Sequence, residues 1–175
     1  MTTRRALFLD RDGTLMIDTG YVRDPADVSL LPGAGETLRL ARELGFLLVL
    51  VSNQSGVARG IISTEQLAAV QARFASDLAA EGVTFDDVRF CVHGPDDGCT
   101  CRKPGPGMLQ AAAEALGIDP GRSLMLGDRM SDVHAGLAAG VGARVLMTTA
   151  APGDTSACTH VIASLAELGP ILRTL

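Results

Sequence analysis

Aromatic residues are scarce in this chain: tryptophan is absent, and aromatic side chains make up 3% of its 175 residues. Because 47% of the residues are nonetheless hydrophobic, we expect a packed core of leucine, valine, alanine and isoleucine. No hydrophobic run is long enough to cross a bilayer, which argues against a membrane partner. The segment from Met1 to Arg5 leads directly into a short apolar stretch and lacks the features of a signal peptide, so we expect a cytoplasmic protein.

Clustered positive charge is also missing. The formal net charge is −5 at pH 7, and basic residues form no run longer than two, as at Arg102-Lys103. Nucleic acid is therefore not an expected partner. The length suits one domain, residues 1–175, with a core of its own, and we expect a monomer. A phosphate-bearing ligand would need positive charge to be concentrated locally.

The first apolar stretch, Ala6 to Leu9, predicts a buried strand of a parallel sheet. Asp10 and Asp12 follow it, and side chains two positions apart in an extended chain point to the same side. Gly13 then allows a sharp turn. Ligands of open α/β sheets bind beyond such strand ends, and paired carboxylates suit Mg²⁺. An exposed turn is the alternative interpretation.

Strand and helix patterns alternate along the chain. Apolar runs predict strands over residues 6–9, 46–51, 88–91, 123–128, 143–147 and 160–163. Helical spacing predicts helices over residues 36–44, 63–81, 108–116, 131–139 and 164–175. This alternation predicts an α/β fold with a parallel sheet covered on both faces. Polar residues at three strand ends are then expected to meet at one edge of the sheet.

Together, the residues at these strand ends predict phosphoryl transfer. Asp10, Asp128 and a backbone carbonyl near Asp12 are expected to hold Mg²⁺, and Asp10 is expected to attack phosphorus as a covalent nucleophile. Asp12 is expected to protonate the leaving oxygen and then to accept a proton from water. Ser52 would hydrogen-bond the transferred phosphoryl group, while Lys103 would neutralise its charge. Each residue alone is also typical of a turn, a helix cap or a solvated surface.

The order of these residues resembles that of the haloacid dehalogenase (HAD) superfamily of phosphatases. Asp10-Arg11-Asp12-Gly13-Thr14 is similar to its first motif, Ser52 to its second, Lys103 to its third, and the stretch 127–132 to its fourth. The resemblance covers about residues 5–148. It implies a Rossmann-like three-layer α/β/α fold with a central parallel sheet, an aspartate nucleophile and Mg²⁺. No separate cap domain fits between the motifs.

Three further segments, residues 20–22, 52–60 and 101–109, resemble a branch of this superfamily that acts on sugar bisphosphates. The resemblance implies that the 7-phosphate of a heptose 1,7-bisphosphate is removed, in the synthesis of lipopolysaccharide or other bacterial surface glycans. Histidinol phosphate is the alternative substrate, because its phosphatase shares the same motifs. The implied substrate contacts are Asp18, Thr19, Gly20, Tyr21, Ser52, Asn53, Gln54, Ser55, Arg102, Lys103 and Arg129.

Three of the four cysteines, Cys91, Cys99 and Cys101, lie within eleven residues together with His93. In a reducing compartment this clustering favours a metal over disulfides. Three thiolates and an imidazole form a closed ligand set, which is typical of structural Zn²⁺. The sequence therefore predicts a zinc loop over residues 91–101 that fixes the adjacent Arg102 and Lys103. The alternative is a buried Cys91, a surface His93 and an oxidation-prone cysteine pair.

Two other classes of protein share some of these features. Signalling receiver domains carry acidic residues, a hydroxyl and a lysine at the strand ends of a similar fold. Their phospho-acceptor aspartate normally lies on a central strand in mid-chain, whereas Asp10 follows the first strand, so the pattern favours an enzyme. A zinc-stabilised binding module without turnover is the other alternative.

Overall fold

A computed structural model describes residues 4–175, so part of the predicted N-terminal segment, residues 1–3, lies outside it. The strands are β1 (Arg5–Leu9), β2 (Phe46–Asn53), β3 (Asp87–Cys91), β4 (Leu124–Gly127), β5 (Ala143–Met147) and β6 (His160–Ile162). The helices are α1 (Ala34–Glu43), α2 (Thr64–Ala80), α3 (Gly107–Leu116), α4 (Met130–Ala138) and α5 (Leu168–Leu172). Short 3-10 turns lie at Pro25–Asp27, Pro120–Arg122 and Leu165–Glu167. Within residues 4–175, no helix combines the length and apolar character needed to span a membrane.

The six strands form one sheet in the order β3-β2-β1-β4-β5-β6, and every neighbouring pair is parallel. Alternate side chains of β1 enter two separate cores. Leu7 and Leu9 pack on one face with residues of α1, α2 and α5. Ala6 and Phe8 pack on the other face with residues of α3 and α4. The predicted three-layer α/β/α fold is therefore confirmed, and its two faces follow from the alternation of side chains along a strand.

Local signals set most element boundaries. Helix α2 begins at a capping box, in which the Ser63 hydroxyl accepts from the Gln66 amide at 3.1 Å and the Gln66 side chain accepts from the Ser63 amide at 2.9 Å. Helix α1 ends just before Gly45, whose φ of 84° is a left-handed conformation that favours glycine.

The predicted terminal helix over residues 164–175 is wrong in extent. The segment forms a 3-10 turn and then the five-residue helix α5. Pro170 explains the break, because it lacks an amide hydrogen and its ring clashes with the carbonyl four residues earlier, in that 3-10 turn.

The strand order locates a natural binding edge. The chain builds β1, β2 and β3 toward one side of the sheet and then crosses to β4 on the other side of β1. Strands β1 and β4 therefore flank the point at which the strand order reverses. Ligands of open α/β sheets bind at the carboxyl ends of strands beside such a point.

Candidate active site

Three carboxylates meet beyond the ends of β1 and β4. Asp10 follows β1, Asp128 follows β4 and Asp132 lies in the first turn of α4, with ligand oxygens that all lie within 4.8 Å of one another. Gly13 makes this approach possible, because its φ is 77° and a Cβ built on it would lie 2.5 Å from Asp128 Oδ2. Burial, together with the charges of Asp10 and Asp132, raises the pKa of Asp128 to about 7. Such mutual repulsion is relieved when a cation binds.

Lys103 supplies the buried positive charge of the site. Its Nζ lies 2.7 Å from Asp10 Oδ1 and 2.6 Å from Asp132 Oδ1, and it donates to the Val51 carbonyl at 2.7 Å. The residue is 3% exposed. Burial lowers the pKa of Lys103, but the two carboxylates outweigh burial and raise it above its ordinary value. Lys103 therefore stays protonated, with one oxygen for each of its three hydrogens.

Asn53, the last residue of β2, fixes the backbone of Lys103. The Asn53 Oδ1 accepts from the Lys103 amide at 3.0 Å, and its Nδ2 donates to the Lys103 carbonyl at 3.0 Å. This reciprocal pair joins the sheet to the loop that carries the lysine. Asn53 was predicted as a substrate contact, but its role in holding Lys103 was not apparent from the sequence.

The Asp12 carboxylate faces a different set of partners from Asp10. Gln54 Nε2 donates to Asp12 Oδ2 at 2.6 Å and to Ser52 Oγ at 3.0 Å, and Arg11 pairs with Asp12 at 3.2 Å. Burial raises the pKa of Asp12, while the nearby Arg11 charge opposes that rise. The Asp12 side chain therefore lies outside the three-carboxylate cluster. That a backbone carbonyl near Asp12 contributes to Mg²⁺ binding stays a prediction. Asp132 lies inside the cluster, where its carboxylate contacts Lys103 Nζ at 2.6 Å.

A cleft of about 380 Å³ opens above these residues. Most of the predicted substrate contacts line it, and the exceptions within residues 4–175 are Thr19, which is exposed beside it, and Ser52, which is buried beneath it. Arg129 and Asp18, which both line the cleft, form an ion pair at 3.1 Å. The lining residues predicted from the sequence are Asp10, Asp12, Asp18, Gly20, Tyr21, Asn53, Gln54, Ser55, Arg102, Lys103 and Arg129.

The predicted zinc ligands form a compact tetrad. Cys91 Sγ lies 3.3 Å from Cys101 Sγ and 3.7 Å from Cys99 Sγ, and His93 Nδ1 lies 3.3 Å from Cys101 Sγ. Four ligands at the Zn–S distance of about 2.3 Å would have sulfurs roughly 3.8 Å apart at tetrahedral angles. Burial raises the pKa of Cys91 to about 12. Burial opposes ionisation of Cys99, but the Arg102 amide and the contacts with Cys101, Cys91 and His93 together outweigh it and lower the pKa of that thiol to about 7.

Comparisons with known proteins give a consistent result. Residues 100–168 match the HAD-hydrolase-like family model. A D-glycero-beta-D-manno-heptose-1,7-bisphosphate 7-phosphatase of Yersinia pestis is 42% identical over 178 residues, covering 96% of this chain and 95% of the relative.

Two solved structures have the same fold. A HAD-like phosphatase from Mesorhizobium loti is 37% identical, with a TM-score of 0.87 over 98% of this chain and 85% of the other. A D,D-heptose 1,7-bisphosphate phosphatase from B. bronchiseptica, solved with magnesium and phosphate, is 33% identical, with a TM-score of 0.87 over 97% of this chain and 98% of the other.

Proposed function

This chain belongs to the HAD-like family of D-glycero-beta-D-manno-heptose-1,7-bisphosphate 7-phosphatases, and on that premise we propose that it removes the 7-phosphate of this sugar bisphosphate. The observation that carries the proposal is Asp10, held at the end of β1 by Lys103 and flanked by two further carboxylates. An aspartate in this position has the environment of a phosphate-accepting nucleophile.

The donor set fits Mg²⁺, a hard cation that prefers oxygen ligands. Asp10, Asp128 and the backbone carbonyl near Asp12 would hold it, and Asp132 would support the site through Lys103. Burial and the charges of Asp10 and Asp132 raise the pKa of Asp128, and a bound cation would offset both by favouring its ionised form. When bound, Mg²⁺ offsets the repulsion between the carboxylates and a phosphate dianion and polarises a phosphoryl oxygen.

The reaction divides between the two aspartates of the first motif. Asp10 attacks phosphorus, the bond from phosphorus to the sugar oxygen breaks, and Asp12 gives that oxygen its proton. Water then attacks the aspartyl-phosphate, the Asp12 carboxylate takes a proton from the water, and inorganic phosphate leaves Asp10. Lys103 and Ser52 stabilise the charge on the moving phosphoryl group.

The two arginines of the cleft favour a second phosphate. Arg102 and Arg129 both line the cleft, and arginine binds phosphate through a fork of donors. The pair between Arg129 and Asp18 is exposed, since the arginine side chain is 68% accessible, so it holds the arginine weakly. A substrate phosphate can therefore replace Asp18 at Arg129. This arrangement supports a bisphosphate over histidinol phosphate, which carries one phosphate.

The names of the relatives support the β anomer of the heptose and a role in bacterial heptose supply. We further propose that the Cys91, His93, Cys99 and Cys101 tetrad binds structural Zn²⁺, which would hold the adjacent Arg102 and Lys103 in position. Reduced thiols of this kind suit the cytoplasm. We also propose that the protein acts as a monomer, because Asp10, Lys103 and Asp128 of a single chain supply the cation site and the positive charge that the reaction needs.

The test is phosphate release from both anomers of heptose 1,7-bisphosphate, from histidinol phosphate and from sugar monophosphates. Activity is expected with Mg²⁺ and not with EDTA, highest on the β bisphosphate, and Asp10→Asn should abolish it. Efficient cleavage of histidinol phosphate with no cleavage of the heptose would overturn the substrate. Absence of turnover on every substrate would overturn the enzyme itself and favour a receiver-like or binding domain.

A further inference from the structure

Arg11 lies between the two aspartates of the first motif, and its side chain is 1% exposed on the solvent-accessible surface. It is the largest of the fully buried side chains among the described residues. Burying a guanidinium is costly unless charge and hydrogen bonds compensate it. The reaction outlined above gives Arg11 no task, because the residue does not line the cleft.

The partners of Arg11 account for its burial. Its Nε donates to Asp12 Oδ1 and its Nη2 donates to Asp12 Oδ2, both at 3.2 Å, so each oxygen of the carboxylate is engaged. Among the described residues, Asp12 is the only carboxylate that pairs with Arg11. A two-pronged contact of this kind fixes the plane of a carboxylate as well as its position.

The far side of the guanidinium is itself anchored. Its Nη1 donates to Gln71 Oε1 at 3.2 Å, on helix α2, and the group lies 5.6 Å from the centroid of the Phe90 ring, on β3. Helix α2 and strand β3, both distant in sequence from the first motif, therefore contact the guanidinium on the side away from Asp12. The connection runs from α2 through Gln71 to Arg11, and from Arg11 to Asp12.

We propose that Arg11 is a positioning residue, anchored by Gln71, that aims the Asp12 carboxylate for proton transfer. The proposal rests on the role of Asp12 in the proposed function. A carboxylate transfers protons efficiently only when it is held within hydrogen-bond reach of the reacting oxygen. Gln54 holds one oxygen of Asp12 from the cleft side, and Arg11 holds both from the interior. Attack by Asp10 on phosphorus needs none of these contacts.

This difference between steps gives the test. With p-nitrophenyl phosphate, Asp10 expels nitrophenolate, which leaves without a proton, so formation of the aspartyl-phosphate does not use Asp12. Hydrolysis of the aspartyl-phosphate does use it, and so do both steps with a sugar phosphate. The variants are Gln71→Leu and Arg11→Lys. The matched control is Arg73→Ala, which removes an exposed residue of α2 that pairs with Asp77.

In Gln71→Leu, the steady-state kcat for heptose bisphosphate should fall about 10-fold, a partial loss of the roughly 10²–10⁴-fold that general acid–base catalysis contributes, while KM changes little. Nitrophenolate should appear in a burst at the parental first-turnover rate, followed by a slower steady state. Arg11→Lys keeps the positive charge but loses the two-pronged contact with Asp12, so its kcat should fall at least as much as that of Gln71→Leu. Arg73→Ala should match the parent.

The inference is overturned if the burst rate falls together with the steady-state rate, since this indicates general damage to the site. It is also overturned if the Gln71→Leu or the Arg11→Lys protein keeps the parental turnover rate. An unsubstituted enzyme that releases phosphate from neither substrate would instead refute the proposed function, so the two failures are distinguishable.

Discussion

Lys103 is the only lysine in a chain whose other fourteen basic residues are arginines. Its ammonium is enclosed by Asp10, Asp132 and the Val51 carbonyl, all at 2.6–2.7 Å. A compact ammonium fits three oxygens converging from different directions, whereas a planar guanidinium does not. The use of lysine here is a matter of shape as well as charge.

We therefore predict that Lys103→Arg is not a conservative substitution. Its kcat for heptose bisphosphate should fall by about 10²–10³-fold, as when a preorganised donor to a transferring group is lost. Lys103→Met should lose at least as much, since the charge also disappears. Steady-state kinetics with Arg73→Lys as a surface control measures this effect. Parental turnover in the Lys103→Arg protein would contradict the stated geometry.

At the residue scale, sequence reasoning predicted the groups that carry charge but not the contacts that orient them. Asp10, Asp128 and Lys103 fall at strand ends or in recognisable motifs, so their convergence was predictable from the order of elements. Gln71 lies sixty residues from Arg11 on an amphipathic helix, and nothing in the helical pattern distinguishes it from a solvated residue. Partners of this kind are set by tertiary packing alone.

Among the elements, the loop from Cys91 to Cys101 links a candidate metal centre to Lys103 of the candidate active site. Cys101 is followed at once by Arg102 and Lys103. The Thr100 carbonyl accepts from the Gly107 amide at 3.1 Å, which ties the loop to the start of α3. Replacing a cysteine of the tetrad should therefore displace Lys103, although the cysteine itself does not line the cleft.

We predict that Cys101→Ala lowers zinc content and lowers kcat by about 10-fold or more, the effect typical of losing support around a metal site. The matched control is Cys158→Ala, because Cys158 lies outside the tetrad and contacts the sulfur of Met130. Metal analysis by mass spectrometry, paired with kinetics, tests both. A Cys101→Ala protein that lacks zinc but turns over at the parental rate would break the proposed link.

Most elements follow from local patterns, because apolar runs and capping signals set β1, β2 and α2. The length of helix α5 does not follow from a local pattern. The apolar spacing predicted a longer helix, but Pro170 prevents the helical hydrogen bond to the preceding turn. The tetrad of Cys91, His93, Cys99 and Cys101 was predictable because its members are close in sequence. The side-chain set around Asp12 was not, because it draws on residues 11, 54 and 71.

For the whole molecule, the acidic cluster makes stability depend on pH and on metal. The pKa of Asp128 in the fold is about 7, above its ordinary value of 3.8. A carboxyl whose pKa is raised by folding contributes stability at low pH, and that contribution is lost as pH rises through the folded value. The metal-free protein should therefore lose stability between about pH 4 and pH 7 from this group.

We predict that Asp128→Asn removes this loss. In EDTA at pH 8 the variant should melt higher than the parent by about 2–4 °C, the shift that ~1 kcal/mol causes in a domain of this size. Added Mg²⁺ should raise the melting temperature of the parent more than that of the variant. Thermal unfolding followed by circular dichroism across pH 5–8 measures both effects. Parallel curves for parent and variant would contradict the prediction.

Taken as a whole, the chain brings strand ends from distant parts of the sequence to one edge of a parallel sheet, and the family it belongs to is one of phosphatases. We infer that β1 delivers a carboxylate, that of Asp10, which is phosphorylated during turnover. Net charge and composition do not indicate whether Asp10 is phosphorylated. Its position between Lys103 and Asp128 supports this role directly.

The most direct test is acid quenching of the enzyme during turnover of a heptose bisphosphate labelled in its 7-phosphate, followed by peptide mapping. We predict label bound as an acyl phosphate on the peptide that contains Asp10, and no such label in Asp10→Asn. With labelled p-nitrophenyl phosphate, whose leaving group needs no proton, the label should accumulate when Asp12 is replaced by alanine. Label on a different residue would contradict this prediction. So would turnover with no protein-bound label in the parent or in the Asp12→Ala protein.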